Sequence, residues 1–75
     1  MSEEDKEVFI KFGQNIKKFR RERNMTIKEL SELTGIRVQY LYKIEAGKAY
    51  GLKTSHIFIF ADAFKMKSYE IVRGM

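Results

Sequence analysis

Gln39 and Lys43 lie in a segment, about residues 37–46, whose apolar residues Leu41 and Ile44 are three positions apart. At about 100° per helical residue, Leu41 and Ile44 face inward, whereas Gln39, Tyr42 and Lys43 point outward. An outward glutamine can form two hydrogen bonds with an adenine edge, and a lysine can donate to O6 and N7 of guanine. The spacing therefore favours contact with base edges, although a solvated helix face would show the same pattern.

Catalytic chemistry has little support in this sequence. His56 is the only histidine, and it has no acid or nucleophile at motif spacing. There is no cysteine, no metal-ligand cluster and no glycine-rich loop that would cradle phosphate. The sequence therefore predicts no enzyme, no metal and no cofactor, and it shows no evident small-molecule ligand.

The distribution of charge supports a polyanionic partner. The 75 residues carry fifteen basic and ten acidic side chains, for a net charge of +5. Residues 1–10 contain four acids and one base, whereas residues 11–53 contain eleven bases and four acids. We read residues 1–8 as an acidic leader that continues into the first helix, and the basic middle as a possible nucleic-acid surface. The longest apolar run is too short to span a bilayer, so we expect a cytoplasmic protein.

Helical periodicity divides the chain into one domain of short helices. The first predicted helix covers about Glu4–Arg23, and the second begins after the N-cap Thr26 and ends at Gly35 with Leu30 and Leu33 inward. The third covers Arg37–Ala46 and stops at Gly47. The fourth covers about Ser55–Phe64 with Thr54 or Ser55 as its cap, and a last turn begins at Ser68.

Two short helices joined by about three residues predict a helix-turn-helix. Such a motif needs a small residue on its first helix, a glycine in the turn and a branched apolar anchor on its second helix. Ser31, Gly35 and Leu41 have these types at the required spacing.

A longer stretch makes the motif specific. Residues 12–26 contain Ile-Lys-Lys-Phe-Arg, residues 30–36 read Leu-Ser-Glu-Leu-Thr-Gly-Ile, and residues 43–48 read Lys-Ile-Glu-Ala-Gly-Lys. The chain thereby resembles the Xre family of helix-turn-helix transcriptional regulators, related to the phage Cro and cI repressors. The resemblance covers residues 9–73 and implies an all-α, five-helix DNA-binding domain, with the third helix in the major groove. It also implies a salt bridge between Arg20 and Glu45. The positions that would approach base edges are Arg37, Val38, Gln39, Tyr42 and Lys43.

Phosphate contacts should come from helix starts and the bases near them. Thr26 and the amides that follow it stand at the start of the second helix. Lys48, Lys53 and Thr54 precede or open the fourth helix. The resemblance adds Tyr40, at a position where related proteins place a hydroxyl near phosphate.

Three positions depart from the family pattern. Ile27 replaces the usual glutamine after the cap of the second helix, and Val38 stands where the family often has a polar, base-contacting residue. Arg37 replaces the usual serine or threonine cap of the third helix. These departures resemble the cytoplasmic domain of the cell-shape protein RodZ, in which the motif binds a protein. The basic middle and the absence of a membrane anchor after Met75 favour DNA, and the protein-docking alternative stays open.

A single small domain reads few base pairs, so we expect a homodimer on a palindromic double-stranded DNA site, acting as a repressor. More apolar residues are present in the last third of the chain than one small core can hold. The predicted interface comprises Ile59, Met66, Ile71 and Val72.

Overall fold

Residues 3–75 form five α-helices, as the sequence predicts. In this computed structural model, which describes residues 3–75 and the side chains from residue 6 onward, they are α1 (Glu3–Glu22), α2 (Ile27–Thr34), α3 (Val38–Glu45), α4 (Thr54–Phe64) and α5 (Ser68–Ile71). No strand occurs between residues 3 and 75. Residues 1–2 and the side chains of residues 3–5, which form much of the acidic leader, lie outside the described residues.

The core lies where α1 and α4 meet the helix-turn-helix pair. Helix α1 packs against α3, α4 and α5, and α2 packs against α3 and α4. Each fully buried leucine, isoleucine or phenylalanine contributes roughly 1.5–3 kcal/mol by leaving water. The largest of these fully buried side chains are Ile16, Leu30, Leu41, Ile44, Phe60 and Ile71.

Helix α2 has well-formed ends that match the prediction. The Thr26 hydroxyl oxygen accepts the backbone N–H of Glu29 at 3.1 Å, and the Glu29 carboxylate accepts the backbone N–H of Thr26 at 3.0 Å. This reciprocal pair is a capping box. At the other end, Gly35 takes a left-handed conformation with φ of 75° and donates its N–H to the Ser31 carbonyl.

The predicted cap of α4 is wrong. Thr54 and Ser55 lie inside the first turn, and Lys53 occupies the N-cap position without a side-chain cap. His56 supplies a side-chain hydrogen bond at this end of the helix, because its Nδ1 accepts the backbone N–H of Lys53 at 3.0 Å. A histidine three residues into a helix thus takes the place that glutamate or glutamine holds in a capping box.

The predicted inward position of Leu33 is also wrong. Its side chain is 57% exposed, whereas Leu30 is fully buried and Ile27 is 8% exposed. The buried stripe of α2 is centred between Ile27 and Leu30, and Leu33 lies about 90° around the helix from that centre. This flank of α2 therefore faces solvent.

Candidate nucleic-acid interface

The turn between α2 and α3 is held by side-chain hydrogen bonds. Ser31 Oγ donates to the carbonyl of Ile36 at 2.6 Å, and Thr34 Oγ1 accepts the backbone N–H of Ile36 at 3.2 Å. Gly35 makes the left-handed turn between them, and Leu41 anchors α3 with a fully buried side chain. The three motif residues inferred from spacing, Ser31, Gly35 and Leu41, therefore occupy the positions that a helix-turn-helix requires.

Helix α3 presents one uninterrupted exposed face. Leu41 and Ile44 are buried on its inner side, while Val38 is 36% and Tyr42 is 59% exposed. Gln39 and Lys43 are exposed between and beside them, and Arg37 is exposed at the N-cap. Four of the five predicted base-reading residues are thus exposed on the side of α3 away from its buried residues, and Arg37 is exposed at the N-cap. The four are Val38, Gln39, Tyr42 and Lys43.

An ion pair ties the end of α3 to α1. Arg20 Nε donates to Glu45 at 2.7 Å, and its Nη2 donates to the other carboxylate oxygen at 3.0 Å. Arg20 Nη1 also donates to the carbonyl of Met25 at 2.7 Å. The hydrogen bond with Glu45 raises the pKa of the Arg20 guanidinium above its ordinary value. The two side chains are only 14% and 7% exposed, so the pair is bidentate and largely shielded from solvent, and it joins the end of α3 to α1.

Gly13 lies where α1 closely approaches the end of α3, and the sequence analysis did not predict this role for it. A Cβ built on Gly13 would collide with the carbonyl oxygen of Ile44 and lie 3.0 Å from that of Glu45. Helix α1 can therefore cross the end of α3 only because residue 13 has no side chain. A glycine inside a strongly helical pattern was the available signal, since such glycines commonly mark a close approach.

The start of α2 differs from the expected phosphate-binding arrangement. Ile27, where the family pattern has glutamine, is 8% exposed and belongs to the hydrophobic core. The Thr26 backbone N–H is engaged by Glu29, and hydrogen bonds from Thr26 lower the pKa of Glu29 below its ordinary value of 4.5. In the first turn of α2, the backbone N–H groups of Ile27 and Lys28 have no acceptor within the helix, so they are the groups left to bind a phosphate.

A compact loop, residues 46–53, connects α3 to α4 and carries two of the predicted phosphate contacts. Gly47 has φ of 76°, and a Cβ there would lie 2.7 Å from Ile10 Cα, so the loop lies directly on α1. Tyr50 packs edge-on against Phe9 with ring centroids 5.4 Å apart. Lys48 and Lys53 are exposed on this anchored loop.

Helix α4 begins beside α3. Thr54 is exposed in its first turn, and the half-buried Tyr40 of α3 lies near His56, with ring centroids 6.2 Å apart. Tyr40 and Thr54 thus sit on the two helices that adjoin the loop. Thr26 is carried separately by the start of α2.

A helix-turn-helix family model, HTH_3, matches residues 16–71, which is most of the chain. The chain belongs to this helix-turn-helix family. The match confirms the resemblance to regulators of Xre, Cro and cI type that the sequence motifs indicate. The fold is also similar to that of the restriction-modification controller protein C.AhdI from Aeromonas hydrophila, with a TM-score of 0.78 and 24% identity. That similarity covers 84% of this chain and 94% of the controller protein. No curated protein matches the chain.

Membership of the helix-turn-helix family makes the protein a DNA-binding transcription regulator and not an enzyme. Within residues 3–75, no helix combines the length and the apolar character needed to cross a bilayer.

The predicted dimer surface needs one correction. Ile71 is fully buried in the core of its own chain, so it has no surface left to contact a second copy. The Asn15 amide nitrogen holds this segment by donating to the carbonyls of Ile71 at 3.0 Å and Arg73 at 3.2 Å. Ile59, Met66 and Val72 are half-buried and keep some exposed surface.

Exposed apolar side chains remain on α4 and α5. Phe58 is 56% and Tyr69 is 63% exposed. The sequence does not predict the exposure of Tyr69, because its spacing from Ile71 does not by itself show which of the two side chains faces the core.

Proposed function

We propose that the protein is a sequence-specific repressor that reads the major groove of double-stranded DNA with α3. The observation that carries the proposal is the exposed face of α3, which lies opposite a buried anchor and is held to α1 by Arg20 and Glu45. A helix fixed in this way can place side chains against base edges reproducibly. Repression requires only that the bound protein occupies its site and excludes other proteins.

Gln39 and Lys43 are the proposed sequence readers on this face. Gln39 fits two hydrogen bonds to adenine N6 and N7, and Lys43 fits guanine O6 and N7. Arg37, at the N-cap of α3, can also donate to guanine. Val38 and Tyr42 offer apolar surface that suits the methyl group of thymine. One such base contact is worth about 1–3 kcal/mol of discrimination.

Phosphate contacts are proposed on both sides of α3. Lys48 and Lys53 on the loop, with Thr54 and Tyr40 beside it, would contact one stretch of backbone. The start of α2 would contact another, through the amides that follow Thr26 more than through its engaged backbone N–H. Because these contacts release counterions, affinity should fall steeply as the salt concentration rises.

The regulator would bind a palindromic operator as a homodimer, since one copy of α3 reads only a few base pairs. Apolar surface for the contact between the two copies is available at and around α4 and α5. It comes from the exposed Phe58 and Tyr69 and the half-buried Ile59, Met66 and Val72. Light scattering coupled to size-exclusion chromatography should show a dimer at high micromolar concentration. Only monomer at that concentration would overturn this part of the proposal.

The test of the function is selection of bound sequences from a random DNA pool at two salt concentrations. A sequence-specific regulator should enrich a two-fold symmetric site over non-specific DNA by about 10³ or more. Affinity for that site should fall as salt is raised.

Failure to enrich any sequence would favour a second candidate, a protein-docking motif of RodZ type. The exposure of Val38 and Tyr42, and of Leu33 on α2, is the observation in its favour. Charged substitutions at Val38 or Tyr42 would then abolish capture of a protein partner while leaving DNA affinity unchanged.

A further inference from the structure

An open apolar cleft lies at the other end of α1 from the Arg20–Glu45 pair. Its volume is about 220 Å³, and it is bounded by the first part of α1, the start of α4 and the segment after α5. Phe9 and Phe12 of α1, Ile57 of α4 and Val72 form much of its wall. Sequence patterns do not reveal the cleft, because its walls come from three separated parts of the chain.

The cleft has the size for one small apolar group. A cavity of about 150 Å³ lined by leucine, isoleucine and phenylalanine can hold benzene. A ring with a short substituent therefore fits the volume seen here. Apolar walls with a few polar groups at one end are typical of small-molecule sites.

The cleft also has a basic residue in its lining. Among the residues whose side chains the structure describes, from residue 6 onward, Lys53 and Thr54 are the polar residues that line it, and none of the lining residues is acidic. An ammonium and a hydroxyl beside an apolar wall complement a carboxylate that is attached to an apolar group.

We propose that this cleft binds a small amphipathic anion, an aromatic carboxylate, with its ring between Phe9, Phe12 and Ile57 and its carboxylate at Lys53 and Thr54. The consequence for DNA rests on the function proposed above, in which the same two residues contact phosphate. A carboxylate held by Lys53 and Thr54 takes the place of a DNA phosphate. The ligand and the operator therefore compete, and the bound ligand lowers affinity for DNA.

The site is tested first on the free protein, by NMR titration with phenylacetate and with its neutral isostere phenylacetamide. Phenylacetate should shift the resonances of Phe9, Ile57, Val72 and Lys53, and it should bind about two- to fivefold more tightly than the amide, as expected for one exposed ion pair. Lys53→Met should abolish this preference, whereas Lys28→Met, which removes an exposed lysine of α2 outside the cleft, should leave it unchanged.

A second variant separates loss of the cleft from loss of one charge. Val8 lines the cleft and is 48% exposed, so Val8→Trp should fill the space without disturbing the core and should weaken both probes together. Equal binding of the two probes, or shifts scattered outside the cleft, would overturn the proposal. So would shifts at these residues that follow protein concentration without ligand, because a second copy would then fill the cleft.

The effect on DNA is measured separately, as operator affinity with and without a saturating concentration of phenylacetate. Binding should weaken for the wild-type protein and remain unaffected by the probe for Val8→Trp. If the probe binds free protein but does not change operator affinity, competition through Lys53 and Thr54 is refuted. If no operator is found at all, the titration on free protein still decides whether the cleft binds the anion.

Discussion

Replacing Gly13 by alanine changes the free energy of unfolding through two effects of opposite sign, helix propensity and overpacking. Residue 13 is inside a 20-residue helix, where alanine is favoured over glycine by about 1 kcal/mol. The structure places the new methyl group against the carbonyl oxygens of Ile44 and Glu45. Backbone oxygens at the end of a helix cannot rotate away, so the two helices must separate by on the order of 1 Å to restore normal contact.

The expected magnitude follows from these two terms. Overpacking costs about 1–3 kcal/mol, and the upper end applies because the obstructing atoms belong to the backbone. After the gain in helix propensity, Gly13→Ala should lower the free energy of unfolding by about 2 kcal/mol. For a domain of this size, the melting temperature should fall by about 10 °C.

Thermal and urea denaturation followed by circular dichroism would measure the change. Gly51→Ala is the matched control, because a Cβ there meets only the Tyr40 hydroxyl at 3.8 Å and should change stability by less than about 0.5 kcal/mol. Stabilisation of Gly13→Ala by about 1 kcal/mol, as helix propensity alone predicts, would refute the close crossing of α1 over α3.

Three further substitutions test other contacts. Glu45→Ala strands the shielded guanidinium of Arg20 and should lower the free energy of unfolding by about 3 kcal/mol, measured by urea denaturation. Glu29→Gln removes a carboxylate whose pKa is lowered in the folded protein, so the wild type should lose stability relative to the variant as pH falls below 4.5, measured as melting temperature against pH. Asn15→Ala removes two hydrogen bonds to the C-terminal segment and should speed amide exchange around Ile71, followed by NMR.

Glu32→Ala is the control for Glu45→Ala. Glu32→Ala removes an exposed glutamate of α2 and should change the free energy of unfolding by less than about 0.5 kcal/mol. An equally small change in Glu45→Ala would show that the ion pair does not stabilise the fold. If the wild type and Glu29→Gln lose stability in parallel as the pH falls, the lowered pKa of Glu29 does not stabilise the folded protein. Unchanged exchange in Asn15→Ala would mean that the burial of Ile71 alone holds the segment.

The sequence was sufficient for features that depend on residues close together in the chain. The capping box at Thr26 and Glu29, the turn at Gly35 and the outward side chains of α3 all follow from spacings of six residues or fewer. The Arg20–Glu45 pair is not local, and it came only from the resemblance to a family.

The features that sequence reasoning missed depend on which neighbour covers a given face. Leu33 and Ile71 have the same apolar character, yet one is 57% exposed and the other is fully buried. Spacing shows that a helix has an apolar side, but it does not show where the neighbouring helix ends. The role of Gly13 is hidden for the same reason, because it appears only when α1 and α3 are brought together.

The most direct test of α3 as the sequence-reading helix is the base preference of Gln39→Ala, measured on the selected operator and on all its single-base variants. The substitution should cost about 1–3 kcal/mol on the operator and remove discrimination at one base pair of each half-site. Lys48→Ala should instead weaken binding to every sequence about equally and reduce its dependence on salt. If Gln39→Ala leaves every base preference unchanged, or weakens all sequences equally, α3 does not read the DNA sequence as described.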